Sequence, residues 1–423
     1  MAELDRKTRI TEKLISRLFK YKVAEIILEI PDNEPIEINP IKLTELEIIN
    51  DYDNCYFPVI RISMDVSLKE LYLIRCNSEN AKLYFRLLTY DNFAGSSTAI
   101  VEEVLKRKFT IYLDDATPEL QKKLNTIASS MKNDMVNIQS RMEFCVFDAD
   151  MLYKSRSQVN AIIQNTDLTS AITYLLYTSN IDNVLLSPLD NDKSYDQIIV
   201  PPSDFIRALV NLERTYGLYE TFMTLYFDLN RVYIIDKKDT GNALEEGEIE
   251  KITIRISSDL DSNAYVSISA LKDNEYIIYT TIKNFSFDEN TNVNDALIGN
   301  ESTIIDLNDG DVSEINTDLK SVHGKKINTI TTTNYSNKYL YSALKHQKEE
   351  NTTKVTVTIR DVDINYITPN KTISLQFTDL ESDKKYGGLY RLVKSHILLT
   401  RENDEMVNVT NLTLRKCKNN SEE

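Results

Sequence analysis

The acidic segment at residues 190–196 (DNDKSYD) is the part of the chain that most resembles a metal-binding loop. Its side-chain oxygens alternate along the chain as they do at the start of a calcium loop. However, Tyr195 stands at the glycine position, and Pro201 stands where the bidentate glutamate should be. These departures favour a capped surface turn, and the same interpretation applies to the acidic turn at 306–311 (DLNDGD).

Other residue types that perform catalysis are present without a catalytic pattern. The four cysteines form no Cys-x-x-Cys pair, and the three histidines are not at metal-ligand spacing. There is no G-x-S-x-G elbow and no glycine-rich nucleotide loop, and none of the 65 acidic residues forms a distinctive pair. His396 lies in a strand-like run and is interpreted as a structural histidine. We therefore expect no enzyme, no metal and no cofactor.

The charge balance limits the partners of the protein. There are 49 basic and 65 acidic residues, for a net charge of −16. A protein that grips nucleic acid by its phosphates needs the opposite sign, so we expect no sequence-specific nucleic-acid binding. Acidic excess is typical of a solvated surface, although an acidic wall would also let DNA pass without sticking.

No stretch reaches the roughly 20 apolar residues of a membrane span, and no apolar signal core follows the N-terminus. Synthesis in the cytoplasm is expected.

Hydrophobic periodicity predicts mainly strands, and 423 residues predict two to four domains. In the first part, period-two alternation indicates a small barrel or sandwich that ends near Asp91. Further on, a helix with Thr166 or Asp167 as N-cap, a second helix that starts near Ser203 and ends at Gly217, and a hairpin follow in order. Predicted strands cover residues 23–30, 43–49, 60–66, 83–87, 109–113, 222–227, 231–235, 252–256, 264–270, 275–282, 354–359, 371–378, 389–393, 397–400 and 407–414. Further helices are predicted at 68–76, 118–131 and 338–350. Residues 284–328 are rich in polar side chains and are predicted to form a long excursion or a flexible insertion.

Three segments resemble hub proteins of phage tail baseplates and related contractile injection systems. The first is residues 35–60, from PIEINP to FPVI. The second starts at 181–190 (IDNVLLSPLD) and continues through the helix after Pro201, with Pro188, Pro202, Tyr216, Gly217 and Tyr219 as its motif residues. The third is 388–396 (GLYRLVKSH) with the strand after it, and its motif residues are Gly388 and Tyr390.

This resemblance implies a β-rich α+β fold with two small β-barrel domains and a mixed α/β inserted domain between them. The first barrel would span 1–91, the inserted region 92–240, and the second barrel 241–415 with its polar insertion near 284–328, followed by a tail at 416–423. It also implies a structural role in the virion, with assembly in the host bacterial cytoplasm. Three chains would form a homotrimer that adapts the sixfold tail tube to a threefold central spike and lines the DNA conduit. The implied partners are tail tube proteins, the central spike protein and baseplate wedge proteins.

Three other functions stay open at the level of the sequence. The chain could be another baseplate component, such as a wedge or connector subunit. It could also be a tail-associated cell-wall hydrolase or a glycan-binding module, the latter suggested by the β-content and the 24 tyrosines. Stoichiometry on the tail axis, turbidity of peptidoglycan and binding to a glycan array separate these functions from the hub.

Overall fold

The computed structural model shows a chain built mainly of strands. It describes residues 18–77, 80–92, 100–112, 139–229, 231–237, 249, 251–257, 268–272, 275–288, 301–308, 311–316, 326–331, 339 and 354–417. The strands are β1 (Leu18–Glu29), β2 (Ile36–Glu37), β3 (Leu43–Asp51), β4 (Val59–Ser67), β5 (Lys82–Asn92), β6 (Ile100–Tyr112), β7 (Gln139–Asp148), β8 (Gln158–Asp167), β9 (Val184–Leu186), β10 (Ser194–Asp204), β11 (Met223–Phe227), β12 (Val232–Asp236), β13 (Lys251–Ser257), β14 (Ile268–Lys272), β15 (Glu275–Thr281), β16 (Phe285–Asp288), β17 (Glu301–Asn308), β18 (Asp311–Asn316), β19 (Lys326–Thr331), β20 (Lys354–Arg360), β21 (Thr372–Phe377), β22 (Gly388–Glu402) and β23 (Glu405–Lys416). The α-helices are α1 (Leu68–Cys76), α2 (Ala149–Ser155), α3 (Leu168–Thr178), α4 (Phe205–Tyr216) and α5 (Leu380–Tyr386).

Eight strands close into a barrel, in the order β22-β3-β4-β7-β6-β5-β1-β23, and the pairing of β22 with β23 completes the ring. All neighbours in this ring are antiparallel. The alternation in β4 places Ile60, Ile62, Met64 and Val66 inside, each at most 1% exposed, because successive side chains point to opposite faces of a sheet. The closed barrel, β-rich with few helices, confirms the predicted fold class at that level.

The strands of the barrel come from both ends of the described chain. Two of them, β6 and β7, lie beyond the predicted boundary at residue 91, and β22 and β23 lie more than 300 residues from β1. The pairing of Tyr21 with Met406 joins the first and last parts of the chain directly. The boundaries at 91 and 240 stay predictions as domain limits, but the barrel is not made from residues 1–91 alone.

A second group of strands shares β22 and β23 with the barrel. Its order is β14-β15-β13-β21-β22-β23-β20-β16, and β13 runs parallel to both of its neighbours. Its own core contains Ile254, Tyr276, Val357 and Leu414. Because β22 has 15 residues and β23 has 12, each strand is long enough to serve both groups. The sequence predicted two short strands, at 389–393 and 397–400, where the structure has the single strand β22.

Residues 149–237 form a unit with a third core, which we call the helical unit. Helix α3 begins where the Asp167 side chain accepts a hydrogen bond from the Ser170 amide at 2.7 Å, and α4 begins where Asp204 does the same for Arg207 at 2.8 Å. Gly217 ends α4 with φ of 72°, as predicted for a C-cap glycine. The predicted hairpin is the antiparallel pair β11–β12. The unit also contains an unpredicted two-stranded ribbon of β8 and β10.

The remaining predicted elements have mixed outcomes. Helix α1 has the predicted bounds, and a capping box between Ser67 and Glu70 starts it. The described parts of 284–328 include β17, β18 and the first half of β19, which pair as the three-stranded sheet β18-β17-β19, so this polar stretch is not wholly without regular structure. The predicted helix at 118–131 lies outside the described residues, as does that at 338–350 except for Tyr339. None of the described helices is long and apolar enough to cross a membrane.

Candidate functional site

The hairpin β11–β12 is the point where the three cores meet. One of its faces, with Leu225 and Val232, packs in the core of the helical unit. The other face, with Tyr226 and Tyr233, packs in the core of the second strand group. At its tip, Leu229 is 8% exposed and belongs to the core of the barrel. We call this meeting point the junction, and its chemistry decides how firmly the three parts hold together.

The tip of the hairpin is bound to the barrel wall and to the loop after β3. The Arg107 guanidinium donates from Nε to the Leu229 carbonyl at 2.9 Å, and the Phe227 amide donates to the Tyr56 carbonyl at 2.8 Å. Asp228 lies beside a cavity of about 130 Å³ whose wall also includes Arg231. Burial raises the pKa of Asp228 to about 6, although the Leu229 amide and the charge of Arg231 act in the opposite direction.

A buried chain of hydrogen bonds joins the hairpin to β3 of the barrel and to the shared strand β22. Tyr226 donates from its hydroxyl to Asn50 Oδ1 at 2.9 Å, and Asn50 Nδ2 donates to Ser395 Oγ at 2.9 Å. All three side chains are at most 4% exposed. Tyr52 adds an edge contact to the Tyr226 ring, with 4.6 Å between centroids. Because buried polar groups are costly to leave unpaired, this chain favours one relative position of β3, β22 and the hairpin.

Asp53 is the centre of a cluster of charges at the same junction. Its carboxylate accepts two hydrogen bonds from Arg391, at 2.9 and 3.2 Å. Lys237 Nζ lies 3.1 Å away, and Arg415 Nη2 lies 3.6 Å away. Burial raises the pKa of Asp53, but Arg391, assisted by Lys237 and Arg415, outweighs it and holds the pKa well below its usual range. One carboxylate thus joins the loop after β3, the end of the hairpin and both shared strands.

The motif residues of the sequence do not converge on one site. Pro188, Pro202, Tyr216, Gly217 and Tyr219 lie in the helical unit. There, Asn191 Nδ2 donates to the Gly217 carbonyl at 2.7 Å, and the Tyr219 hydroxyl donates to the Ser187 carbonyl at 3.1 Å.

The other two motif residues lie at the start of β22, in the second strand group. Gly388 has φ of 133°, and Tyr390 donates from its hydroxyl to the Tyr386 carbonyl at 2.6 Å. These contacts are structural, and they leave the motif roles as predictions.

The acidic segment and His396 also have structural contacts. The Asp190 carboxylate accepts a hydrogen bond from the Glu220 amide at 2.8 Å, and the Asn191 side chain is used within the helical unit. His396 Nε2 lies 2.7 Å from Glu47 Oε1 on the neighbouring strand β3. Within the ranges that the structure describes, no three histidine, cysteine or acidic side chains gather as a metal site. What the described residues do gather is the junction.

The sequence did not predict the junction. Its strands and its hairpin were predicted, but Arg391 lies 338 residues from Asp53, and neither residue belongs to a recognised catalytic or binding motif. The one local signal is the Tyr-Asp pair at residues 52 and 53, which directly follows a predicted strand and lies within the first segment that resembles hub proteins.

Comparisons with known proteins identify the family. A family model described as the bacteriophage PBS1 gene 109 protein matches residues 10–417. The chain therefore belongs to the family of the bacteriophage PBS1 gene 109 protein, and the predicted resemblance to phage proteins is confirmed. A comparison with curated proteins finds no match.

Several solved structures are similar to this one. The tail protein from Neisseria meningitidis MC58 has a TM-score of 0.47 and 10% identity, over 93% of this chain and 96% of that chain. The 43 kDa tail protein of prophage MuSo2 from Shewanella oneidensis has a TM-score of 0.45 and 10% identity, over 92% and 98% of the two chains. An E. coli component of the type VI secretion system has a TM-score of 0.40 and 7% identity, over 92% and 77%.

Proposed function

We propose that this chain is a structural, non-enzymatic hub subunit of a phage tail baseplate. Three copies would form a ring on the tail axis, with the tail tube proteins on one face and the central spike protein on the other. Baseplate wedge proteins would bind outside the ring. The hub would belong to the virion and would assemble in the host cytoplasm. Membership in a phage protein family supports the location in the virion, and the topology of the large sheet supports the role as a hub.

The observation that carries this proposal is the shared pair of long strands. One sheet contains a closed barrel and a second strand group, with β22 and β23 in both. The same order of elements occurs in each group: a strand, a short helix with a side-chain N-cap, and a long antiparallel hairpin. In the barrel these elements are β4, α1 and β5-β6, and in the second strand group they are β21, α5 and β22-β23. This recurrence supports two related β-barrels with the helical unit inserted between them. A subunit with two such modules lets three copies present six similar surfaces.

The junction supports the mechanical side of the role. A symmetry adaptor must hold its modules at fixed angles, because every copy has to present the same surfaces to its neighbours. The buried Tyr226–Asn50–Ser395 chain links the hairpin to β3 and β22, and the Asp53 cluster links it to β22 and β23. The motif residues of the helical unit and of β22 would then act as structural residues.

The net charge is compatible with a DNA conduit. Three copies would bring three times −16, or −48. A predominantly acidic inner wall would repel the DNA backbone and keep DNA from adhering during ejection. No sequence-specific binding of nucleic acid is part of this proposal.

Native mass spectrometry of the full chain tests the ring. The expected result is a species of three chains, which a matched variant with Asp53→Asn populates less because its modules are held less firmly. A control variant, Glu103→Gln, removes only the half-exposed ion pair with Arg86 and should leave the trimer unchanged. A chain that stays monomeric at every concentration, with and without its tube and spike proteins, would overturn the trimeric ring.

A further inference from the structure

The ribbon of β8 and β10 has two outer edges, and they differ. At the edge of β10, the Ile199 amide donates to the Tyr216 hydroxyl at 3.2 Å. Pro201 and Pro202, further along the same strand, have no amide hydrogen to offer. The edge of β10 is therefore closed to another strand, as natural edge strands commonly are.

The hydrogen bond to Tyr216 also reveals which groups of β8 face outward. Residues opposite each other in an antiparallel pair alternate between hydrogen-bonded and non-hydrogen-bonded pairs. Ile199 is opposite Ile162, and its amide points away from β8, so this pair is of the non-hydrogen-bonded kind. The amide and carbonyl of Ile162 must then point away from β10. By the period of two, those of Gln164, which is opposite Gln197, point the same way.

These outward groups form an open edge. Within the described part of the chain, β8 pairs with β10 alone. The strand has no charged residue from Gln158 to Thr166, in a protein in which 27% of residues are charged. The usual protection of an edge by charge or proline is therefore missing from residues 158–166 of β8. Ile162 and Ile199 add an exposed apolar pair beside this edge, at 63% and 55% exposure.

The edge is also held in place before anything binds. Val159, Ile198 and Val200 are buried in the core of the helical unit, below the ribbon. The helical unit is fixed to the barrel through the junction. A strand that added to β8 would thus meet a rigid edge, and the cost of ordering the receptor would be small.

We propose that the outer edge of β8 binds an extended segment of another protein as an added strand, with uncharged residues along the edge and one basic residue at its end. An apolar side chain of that segment would lie over Ile162, and a basic residue would lie beyond it, near Asp167 at the end of β8 and Asp196 on β10. The two carboxylates favour such a partner over a second copy of β8, because β8 itself contains no basic residue to place beside them. Main-chain hydrogen bonds would give the affinity, and the apolar pair would set the register. This inference goes beyond the proposed hub and does not depend on it.

A proline substitution tests the edge itself. Ile162→Pro removes the outward amide hydrogen and breaks no hydrogen bond to β10, since the pair with Ile199 is not hydrogen-bonded. The matched control, Ile162→Val, keeps both the amide and a β-branched apolar side chain. The probe is a fluorescently labelled peptide of alternating threonine and valine with one terminal lysine, and its binding to the full chain is measured by anisotropy. Binding should weaken about tenfold or more in Ile162→Pro and stay at the original level in Ile162→Val.

Amide hydrogen exchange gives a second measurement that does not depend on a variant. The peptide should slow exchange at Ile162 and Gln164, while Ile163, whose amide already faces β10, should be unchanged. Equal binding by Ile162→Pro and the original chain, no binding at all, or protection without this alternation would each overturn the proposal. Analytical sedimentation of the chain without peptide tests whether a second copy of the chain binds this edge instead. Self-association that Ile162→Pro abolishes would mean that a second copy takes the edge, and the proposal would again be wrong.

Discussion

At the scale of single residues, two buried carboxylates at the junction respond to pH in opposite directions. Asp228 has its pKa raised from 3.8 to about 6, so the folded protein binds this proton more tightly than the unfolded chain does. Its contribution to stability is fully present below its ordinary pKa and is lost as the pH rises through about 6. Asp53 has its pKa lowered, so its contribution is present above the ordinary pKa and is lost as the pH falls below it.

Asp228→Asn should therefore stabilise the protein at neutral and alkaline pH. Asparagine keeps the Oδ1 acceptor for the Leu229 amide and removes the charge that burial disfavours. We expect a gain on the order of 1 kcal/mol at about pH 8 and no gain near pH 4, where Asp228 is itself protonated. Urea denaturation at both pH values measures the difference in unfolding free energy between the variant and the original protein. Glu213, whose pKa burial raises to about 7, also titrates in this range, but it contributes equally to the two proteins. A variant that is less stable at pH 8 contradicts the interpretation of Asp228.

Asp53→Asn should have the opposite and larger effect at neutral pH. It leaves Arg391, Lys237 and Arg415 close together without their shared carboxylate, and breaking a buried ion pair typically costs about 3 kcal/mol. Glu103→Gln serves as the control, because its half-exposed pair with Arg86 contributes about 0.5 kcal/mol. Denaturant midpoints of the two variants give the comparison. Equal losses in both would show that Asp53 does not hold the junction.

At the scale of elements, the end of α4 depends on one glycine. Gly217 has φ of 72°, and a Cβ at this position would collide with the side chain of Tyr339. Gly217→Ala should lower the stability by more than about 1 kcal/mol, because it combines backbone strain with a clash. The matched control is Asn180→Gly, at an exposed position with φ of 53° just after α3, where glycine should be neutral or slightly stabilising. Thermal unfolding compares them, and a harmless Gly217→Ala would refute the argument.

The elements also show where local sequence is sufficient and where it is not. Helices α1, α3 and α4 were predictable because their caps lie within a few residues of their apolar faces. Strand β22 was divided in two because Ser395 interrupts its apolar pattern, and only Asn50, 345 residues away, explains a buried serine there. The β8 ribbon was missed because the exposed Ile162 next to Ile163 hides the alternation. The contact between Ser395 and Asn50 and the pairing of β8 with β10 are non-local, so no short window of sequence contains both partners.

At the scale of the whole molecule, the closure of the barrel was beyond sequence analysis for the same reason. The alternation of β1, β3 and β4 predicts half-buried strands, but not that β22 and β23 would complete their ring. Those two strands determine the architecture of the molecule, since they continue from the barrel into the second strand group. The predicted hub depends on that architecture more than on any single side chain.

The hub that we propose consists of three copies of this chain in a ring between tube and spike. A reconstruction of the native phage tail without imposed symmetry tests it most directly, with the barrel and the helical unit as recognisable landmarks. We expect three copies around the axis, each with its barrel and second strand group at alternate positions of a sixfold arrangement. Six or more copies placed off the axis, or a single copy in the particle, would contradict it.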